Sequence, residues 1–393
     1  MSIRWDIHKK EIYFTLAYVV YLFRGLIEIS TLKQYIMIDG IVYWGVRIIL
    51  LIFVILQIYT IDRYSKKSIL QILAIIVIFL ISGFSSRYTH LCDIVLLLIA
   101  ACKLELKKIV KVFFTITVVF MSVVFCLSLA GVIENYAFVY ETRRVRYAFG
   151  SVYATDFAAM IFYLQMCHAY LKKNKCTIKY VIFWLLFGAF ILCFCDARLD
   201  TILIISFAVI MLIHDKWKYI LDYKLIKWIL KYGVLFTCGI SITLHMLYSN
   251  ENVLLEKINK LLSGRLKNGN QAIKDYGFSL FGNNIKEQGN GWSVKVWDDT
   301  LGYYFVDCGY LSIALKYGVI ILAILVLSYY IKIKQNLEKE EYILPIILNF
   351  MGISSMIDHH VFQIAYNPFI FVISVVVAGK TTAKARTPNI DSI

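Results

Sequence analysis

The chain reads as an all-α, polytopic membrane protein of about twelve transmembrane helices, with one long extracytoplasmic loop carrying short amphipathic helices. Three observations predict this. Sixty per cent of the 393 residues are apolar and only three are proline. The apolar residues gather into spans of roughly 15–23 residues, enough to cross a bilayer, joined by polar connections. The basic residues divide unevenly between alternate connections. One set carries 25 Lys/Arg, of which only Arg4, Arg63 and Arg386 are arginine. The other carries 13, and six are arginine: Arg87, Arg143, Arg144, Arg146, Arg198 and Arg265. Cationic connections resist translocation, so the lysine-rich set marks the cytoplasmic side.

A chain this apolar lacks the polar residues to cover a soluble globule. Its net charge of +15 raises nucleic acid as a partner. Inner connections facing anionic headgroups account for that charge better, so the lipid bilayer is the expected partner and no nucleic acid is expected.

In chain order, Met1 to Lys10 is basic, and the first span continues to about Ser30 without a small-residue cleavage site. It is therefore expected to be a retained helix and not a signal peptide. Spans fall near 11–29, 41–61, 69–83, 90–102, 110–132, 151–171, 179–195, 199–213, 229–249, 303–331, 342–357 and 361–379. The inner connections then hold Arg63/Lys66/Lys67, Lys103/Lys107/Lys108, Lys172/Lys173/Lys175, Lys216 to Lys231 and Lys332 to Lys339, with Lys380, Lys384 and Arg386 in the tail. Both termini are accordingly expected in the cytoplasm. The nine cysteines form no CxxC pair. Cys193 and Cys195 are two apart and point to different sides of a helix, a poor chelate. No repeat or linker divides the chain, so residues 1–393 form one transmembrane domain.

The outer connections are tight except for 133–150 and 250–302. The second holds Gly264, Gly269, Gly277, Gly282, Gly289 and Gly291. It begins with NVLLEKINKLL, in which Val253, Leu254, Ile258, Leu261 and Leu262 recur at helical spacing. This predicts an amphipathic helix at the outer membrane interface.

Lysine suffices to set topology, so the outer arginines need another reason. A guanidinium grips phosphate oxygens with a planar fork that an ammonium lacks. Arg143 and Arg146 are three apart and share a face if their segment is helical. Arg198, in CDARLD, sits between two spans with almost no loop, where a charge needs Asp196, Asp200 or an anionic ligand to compensate it. Arg265 follows the amphipathic helix. Each arginine alone has a plainer reading as a snorkelling or salt-bridged interface residue; as a set they predict a phosphate site. Asp307 lies about one turn into an apolar span, where a carboxylate needs a partner, and one of the arginines is the natural one. It is also placed to accept a proton from a hydroxyl. Asp298 and Asp299 read as loop caps or solvated residues. Asp358, His359 and His360 cluster at an outer turn. Without a second ligand cluster they predict acid–base or hydrogen-bonding groups or plain interface residues, and no metal. Trp292, Trp297, Tyr303 and Tyr304 sit beside the long loop, where sugar rings could stack.

Several stretches together resemble the O-antigen and capsular repeat-unit polymerases of the Wzy type. They are LELKKIVKVFFTITVVFMSVVFCLSLAGVIENY followed by RRVRYAFGSVYATDFAAM, then LLSGRLKNGNQAIKDYGFSLFGNNI, VDCGYLSIALKYGVI and AYNPFIFVIS. They cover roughly residues 100–375 in the family's order. One departure is FGSVYATDF, from Phe149 to Phe157, where relatives often read G-F-x-H-P-N; no role is carried onto Tyr153, Ala154 or Thr155.

The resemblance implies a glycosyltransferase that joins oligosaccharide units on undecaprenyl diphosphate at the outer face of a bacterial cytoplasmic membrane. It implies no nucleotide-sugar cofactor and no metal, and a chain-length regulator and a flippase as further partners. With it, Arg143, Arg146, Arg198 and Arg265 are expected to bind the diphosphate, with Arg198 and Arg265 also catalytic. Asp307 is expected as proton acceptor, and Tyr310, His359 and His360 as secondary residues. Two rivals stay open: a ligase of the same broad fold, and a transporter without chemistry. The long loop favours an enzyme over a transporter, whose connections are usually short.

Overall fold

The computed structural model describes residues 2–36, 40–59, 66–140, 143–172, 177–289 and 304–377. Helix dominates because long runs lack proline and place apolar residues at helical spacing. In α5 (Leu106–Leu129), Ile109, Val110, Phe113, Phe120 and Val124 face the interior. On the opposite side Val119 and Val123 are more than half exposed, which suits hydrocarbon and not water. The first half of the chain holds α1 (Ser2–Glu28), α2 (Gly40–Tyr59), α3 (Lys66–Ser86), α4 (His90–Ala100), α5, α6 (Ala154–Lys172), α7 (Ile178–Phe190) and α8 (Arg198–Lys216). The second holds the short α9 (Lys218–Leu221), then α10 (Lys224–Leu247), α11 (Val253–Leu261), α12 (Arg265–Tyr276), α13 (Gly309–Lys316), α14 (Val319–Leu337), α15 (Ile343–Ser355) and α16 (Val372–Val377). Helix α1 packs on α2 and α5, α7 on α8, and α10 on α14 and α15.

Five helices among the described residues are long and apolar enough to cross a membrane: 66–86, 106–129, 178–195, 224–247 and 319–337. Four shorter ones, Gly40–Leu56, His90–Ala100, Ile343–Ser355 and Pro368–Val377, are apolar as well. By length and composition this is the signature of an integral membrane protein.

Three expectations are corrected. Residues 143–146 are not helical. They form β2 (Arg143–Tyr147), which pairs antiparallel with β1 (Ala137–Tyr140), Ala137 opposite Tyr147 and Phe138 opposite Arg146. The helical spacing on which the shared face expected for Arg143 and Arg146 rests is therefore absent, and the strand pairing is itself irregular between Phe138 and Tyr140. The fold is mostly helical, with a two-stranded antiparallel pair added to the helices. The span 303–331 is broken: α13 ends at Lys316, Gly318 adopts φ +99°, and α14 starts afresh. The freed carbonyls find partners outside the helix, with Ser82 Oγ donating to Tyr317 O and Asn283 N to Leu315 O. The last span, 361–379, is replaced within the described residues by two 3₁₀ turns, His360–Phe362 and Pro368–Phe371, and the short α16. Asn367 causes the second start: its side chain accepts from Phe369 N while its amide donates to Val361 O and to the Tyr329 hydroxyl.

At the break the loop lies against the helix ends, and two glycines permit it. A Cβ on Gly318 would overlap the Leu280 carbonyl, and one on Gly282 would overlap the Lys316 carbonyl; both have positive φ. Gly318→Ala is therefore expected to destabilise the protein by about 1–3 kcal/mol, from overpacking plus left-handed strain. The melting temperature in detergent checks this, and a value equal to wild type would contradict the close approach.

Candidate functional site

The loop 250–289 folds onto the end of α10. Asn252 caps α11 by accepting from Leu254 N and Leu255 N. Val253, Leu254 and Leu261 are all at least two-thirds exposed on this helix, so an apolar stripe faces outward as expected of an interfacial helix. Ser263 and Gly264 both have positive φ, and the turn they make delivers Arg265 as the first residue of α12. Asn270 then fastens α12 to α10, its amide donating to His245 O at 2.8 Å. The far end of the loop is closed by a bridge in which Gln288 and Tyr304 exchange backbone hydrogen bonds. Beyond it Val306 N donates to Glu287, and Glu287 also pairs with the buried Lys316.

This placement sets Asp307 just ahead of α13. Arg265 Nε lies 3.5 Å from Asp307 Oδ2, so the carboxylate finds its cation among the outer arginines as expected. Gly309 brings in the next element: a Cβ there would sit 2.6 Å from Asp358 O, so α13 rests directly on the turn 358–361. In that turn His360 is 3% exposed and lies between two carboxylates. Its Nδ1 donates to Asp358 Oδ1, and its Nε2 lies 3.5 Å from Asp156 Oδ1 on α6. Burial pushes the ring's pKa down, but Asp358 and Asp156 outweigh burial and raise it to about 10. Burial pushes Asp358 up; the ion pair and hydrogen bond with His360 prevail and hold it below the usual carboxylate range. His359 packs its ring on Phe305 and on His360, and burial holds it well below 6.5, in the neutral form.

Asp358 Oδ2 is buried and accepts no hydrogen bond among the described residues. Arg265 acts electrostatically on both Asp200 and Asp358, so the first turn of α8 belongs to the same neighbourhood. Donor atoms of Asp358, His359 and His360 lie within 4.8 Å of one another, as metal ligands do. Yet both His360 nitrogens face carboxylates, and an imidazolium has no lone pair to offer a cation. The group is an ion-pair triad, Asp156–His360–Asp358.

Arg146 is a further buried cation, 5% exposed. Its Nε donates to Cys195 O at 2.9 Å and its Nη1 to the Tyr153 hydroxyl at 3.2 Å, with the guanidinium 5.2 Å from that ring's centre. Among the described residues it pairs with no carboxylate. A buried charge without a counter-charge is expensive, so a neighbouring anion is its natural complement.

The remaining expected residues separate from this group. Arg198 is 76% exposed and pairs with Asp196 at 3.3 Å. The α7 run ends in a π-helical turn, Ile191–Cys195, and Asp196 takes φ +45°, which swings Arg198 outward and leaves Asp200 facing in. Tyr310 is buried against α10 with its hydroxyl 2.9 Å from Thr237, a packing role. The side chain of Arg143 lies outside the described residues, as do Trp292, Trp297, Asp298, Asp299 and Tyr303. Tyr304 is described: its hydroxyl donates to Asp275 at 2.9 Å. Sequence reasoning missed Asp156, although it stands inside the FGSVYATDF stretch; a carboxylate one turn into an apolar helix was the available signal. No family model, curated protein or solved structure matches this chain.

Proposed function

We propose that the chain is a membrane glycosyltransferase of about twelve spans in a bacterial cytoplasmic membrane, with both termini inside. It joins oligosaccharide units carried on undecaprenyl diphosphate at the outer face. The observation that carries this reading is Arg146, a buried guanidinium without a carboxylate. It is linked to Arg265 through the Cys195–Asp200 segment, which feels the charge of both arginines, and the Asp307 that pairs with Arg265 can be exchanged for phosphate oxygens.

In the reaction, an acceptor hydroxyl attacks the anomeric carbon of the donor sugar, opposite the lipid diphosphate. The new C–O bond forms as the bond to the diphosphate oxygen breaks, and that bond's electron pair stays on the diphosphate. Arg146 and Arg265 stabilise the charge developing there. The hydroxyl proton passes to Asp307, which is released from Arg265 when the diphosphate takes its place. Attack from the opposite face inverts the anomeric centre. Asp358, with its free Oδ2, orients the acceptor by accepting a hydrogen bond from a neighbouring hydroxyl.

The test is the lipid-linked saccharide profile of the host with and without the gene. Accumulation of single repeat units with loss of the long ladder supports the polymerase. Long lipid-linked polymer that persists without transfer sinks it in favour of a ligase, and units trapped on the inner face point to a transporter.

A further inference from the structure

Beside the cluster, a cavity of about 400 Å³ opens at the C-terminal end of α1, the N-terminal end of α2 and the turn joining α3 to α4. That volume falls in the range that takes small ligands, roughly 300–1,000 Å³. Its walls are rich in tyrosine (Tyr43, Tyr88 and Tyr317 among them) and hold charges of both signs. Arg24 lies 4.2 Å over the Tyr43 ring and pairs with Glu28 at 2.8 Å. Behind it, Arg47 covers the same ring at 4.5 Å and is neutralised by the buried Asp93 at 2.7 Å. The tyrosines are held in place: Tyr88 donates to Ile285 O at 2.9 Å, and the Tyr317 hydroxyl lies 3.0 Å from His90 Nε2.

Arg87 at the rim differs from the other two arginines. Among the described residues it has no carboxylate partner, and its backbone sits at φ +62°, a conformation that any side chain adopts only at a cost. Strain kept at the mouth of a cavity points to a use for the residue held there. With Arg24 set against Glu28, the lining is left with one excess positive charge, carried by Arg87. A free guanidinium suits phosphate. Tyrosine faces together with Glu28 and the Gln363 amide suit the ring and hydroxyls of a sugar.

We propose that this cavity is a second binding site, for a phosphorylated saccharide, with Arg87 holding the phosphate and the tyrosines holding the ring. The site is distinct from the Arg265–Asp307 cluster: its wall residues Phe362 and Gln363 lie two and three positions after His360, so one short segment separates the two. The inference does not rest on the polymerase reading, since a ligase or a transporter would hold the same chemistry.

The test is calorimetric titration of the full-length protein in phosphatidylcholine nanodiscs. The probes are the 1-phosphates of glucose, galactose and N-acetylglucosamine, with inorganic phosphate as the comparison. Binding is expected to persist in Arg265→Ala and to weaken at least tenfold when Arg87→Gly is added. Glycine relieves the positive φ, so Arg87→Gly is also expected to melt at or above the wild-type temperature, which separates lost binding from lost folding. Four results would each overturn the proposal. They are no binding of any sugar phosphate, unchanged affinity in Arg87→Gly, equal affinity for inorganic phosphate, and displacement of the sugar phosphates by phosphatidylglycerol in the disc.

Discussion

Alanine at Arg265 is expected to erase the long saccharide ladder while the protein still reaches the membrane. Under the proposed mechanism the guanidinium meets charge that appears on the diphosphate as the glycosidic bond breaks. Removing one preorganised donor from such a site costs about 10²–10³ in rate. Lysine is expected not to restore it, because a single ammonium cannot reproduce the fork that spans two phosphate oxygens. A structural cost accompanies the change. Asp307 loses its cation at 3.5 Å while remaining 16% exposed, an expense of about 1–3 kcal/mol. The double variant Arg265→Ala/Asp307→Asn separates the two effects by melting temperature: it is expected to recover the stability lost in Arg265→Ala while the ladder stays absent, because Asp307 is the proposed proton acceptor. If the two residues served only to neutralise each other, removing both charges would bring the ladder back. Restoration by the double variant, or a normal ladder from Arg265→Ala alone, sinks the assignment; gel analysis of lipid-linked saccharides reads both.

What the sequence made legible follows from which forces are local. The apolar helices, the amphipathic α11 and the need of Asp307 for an arginine all rest on spacing within one segment or on the cost of a lone carboxylate. These agree with the structure. The hairpin does not, because strand pairing between 137–140 and 143–147 is decided by partners across a turn, and the three-residue spacing of Arg143 and Arg146 carries meaning only if a helix is assumed. Arg198 pairs with Asp196, one of the partners its sequence context offered, but its outward direction has a backbone cause: the π-helical turn and the left-handed Asp196 redirect the chain within three residues, a change that composition does not announce. The break before α14 was hidden because VDCGYLSIALKYGVI runs on into the next apolar stretch without a proline, and Gly318, with a loop packed on it, ends the helix there. Asp156 was hidden by its surroundings in a similar way. Its partner is more than 200 residues away, and no local pattern joins α6 to the turn at His360.

That long-range pairing gives the second large effect. His360→Ala is expected to cost about 3–5 kcal/mol, the loss seen when one member of a buried ion-pair group is removed and its partners stay charged. The pH dependence distinguishes this from a simple cavity. In the wild type the His360 pKa is raised from 6.5 to about 10, so its contribution is fully present below 6.5 and is lost as pH rises through 10. The pKa of Asp358 is lowered, so its contribution is present above the ordinary carboxylate range and is lost as pH falls through its depressed value. Wild-type stability should therefore be greatest between the carboxylate range and about pH 6.5, fall steadily from there to pH 10, and fall again on strong acidification. Without the imidazolium, Asp156 and Asp358 face each other's charge, and protonation relieves them. The variant should thus gain stability on acidification over a range where the wild type is level or falling, and should lack the decline that His360 imposes on the wild type between pH 6.5 and 10. Melting temperatures of both proteins in one detergent from pH 4 to 10 make the comparison. Curves that run parallel across that range would mean that His360 is a neutral packing residue and that the two carboxylates are balanced by something else.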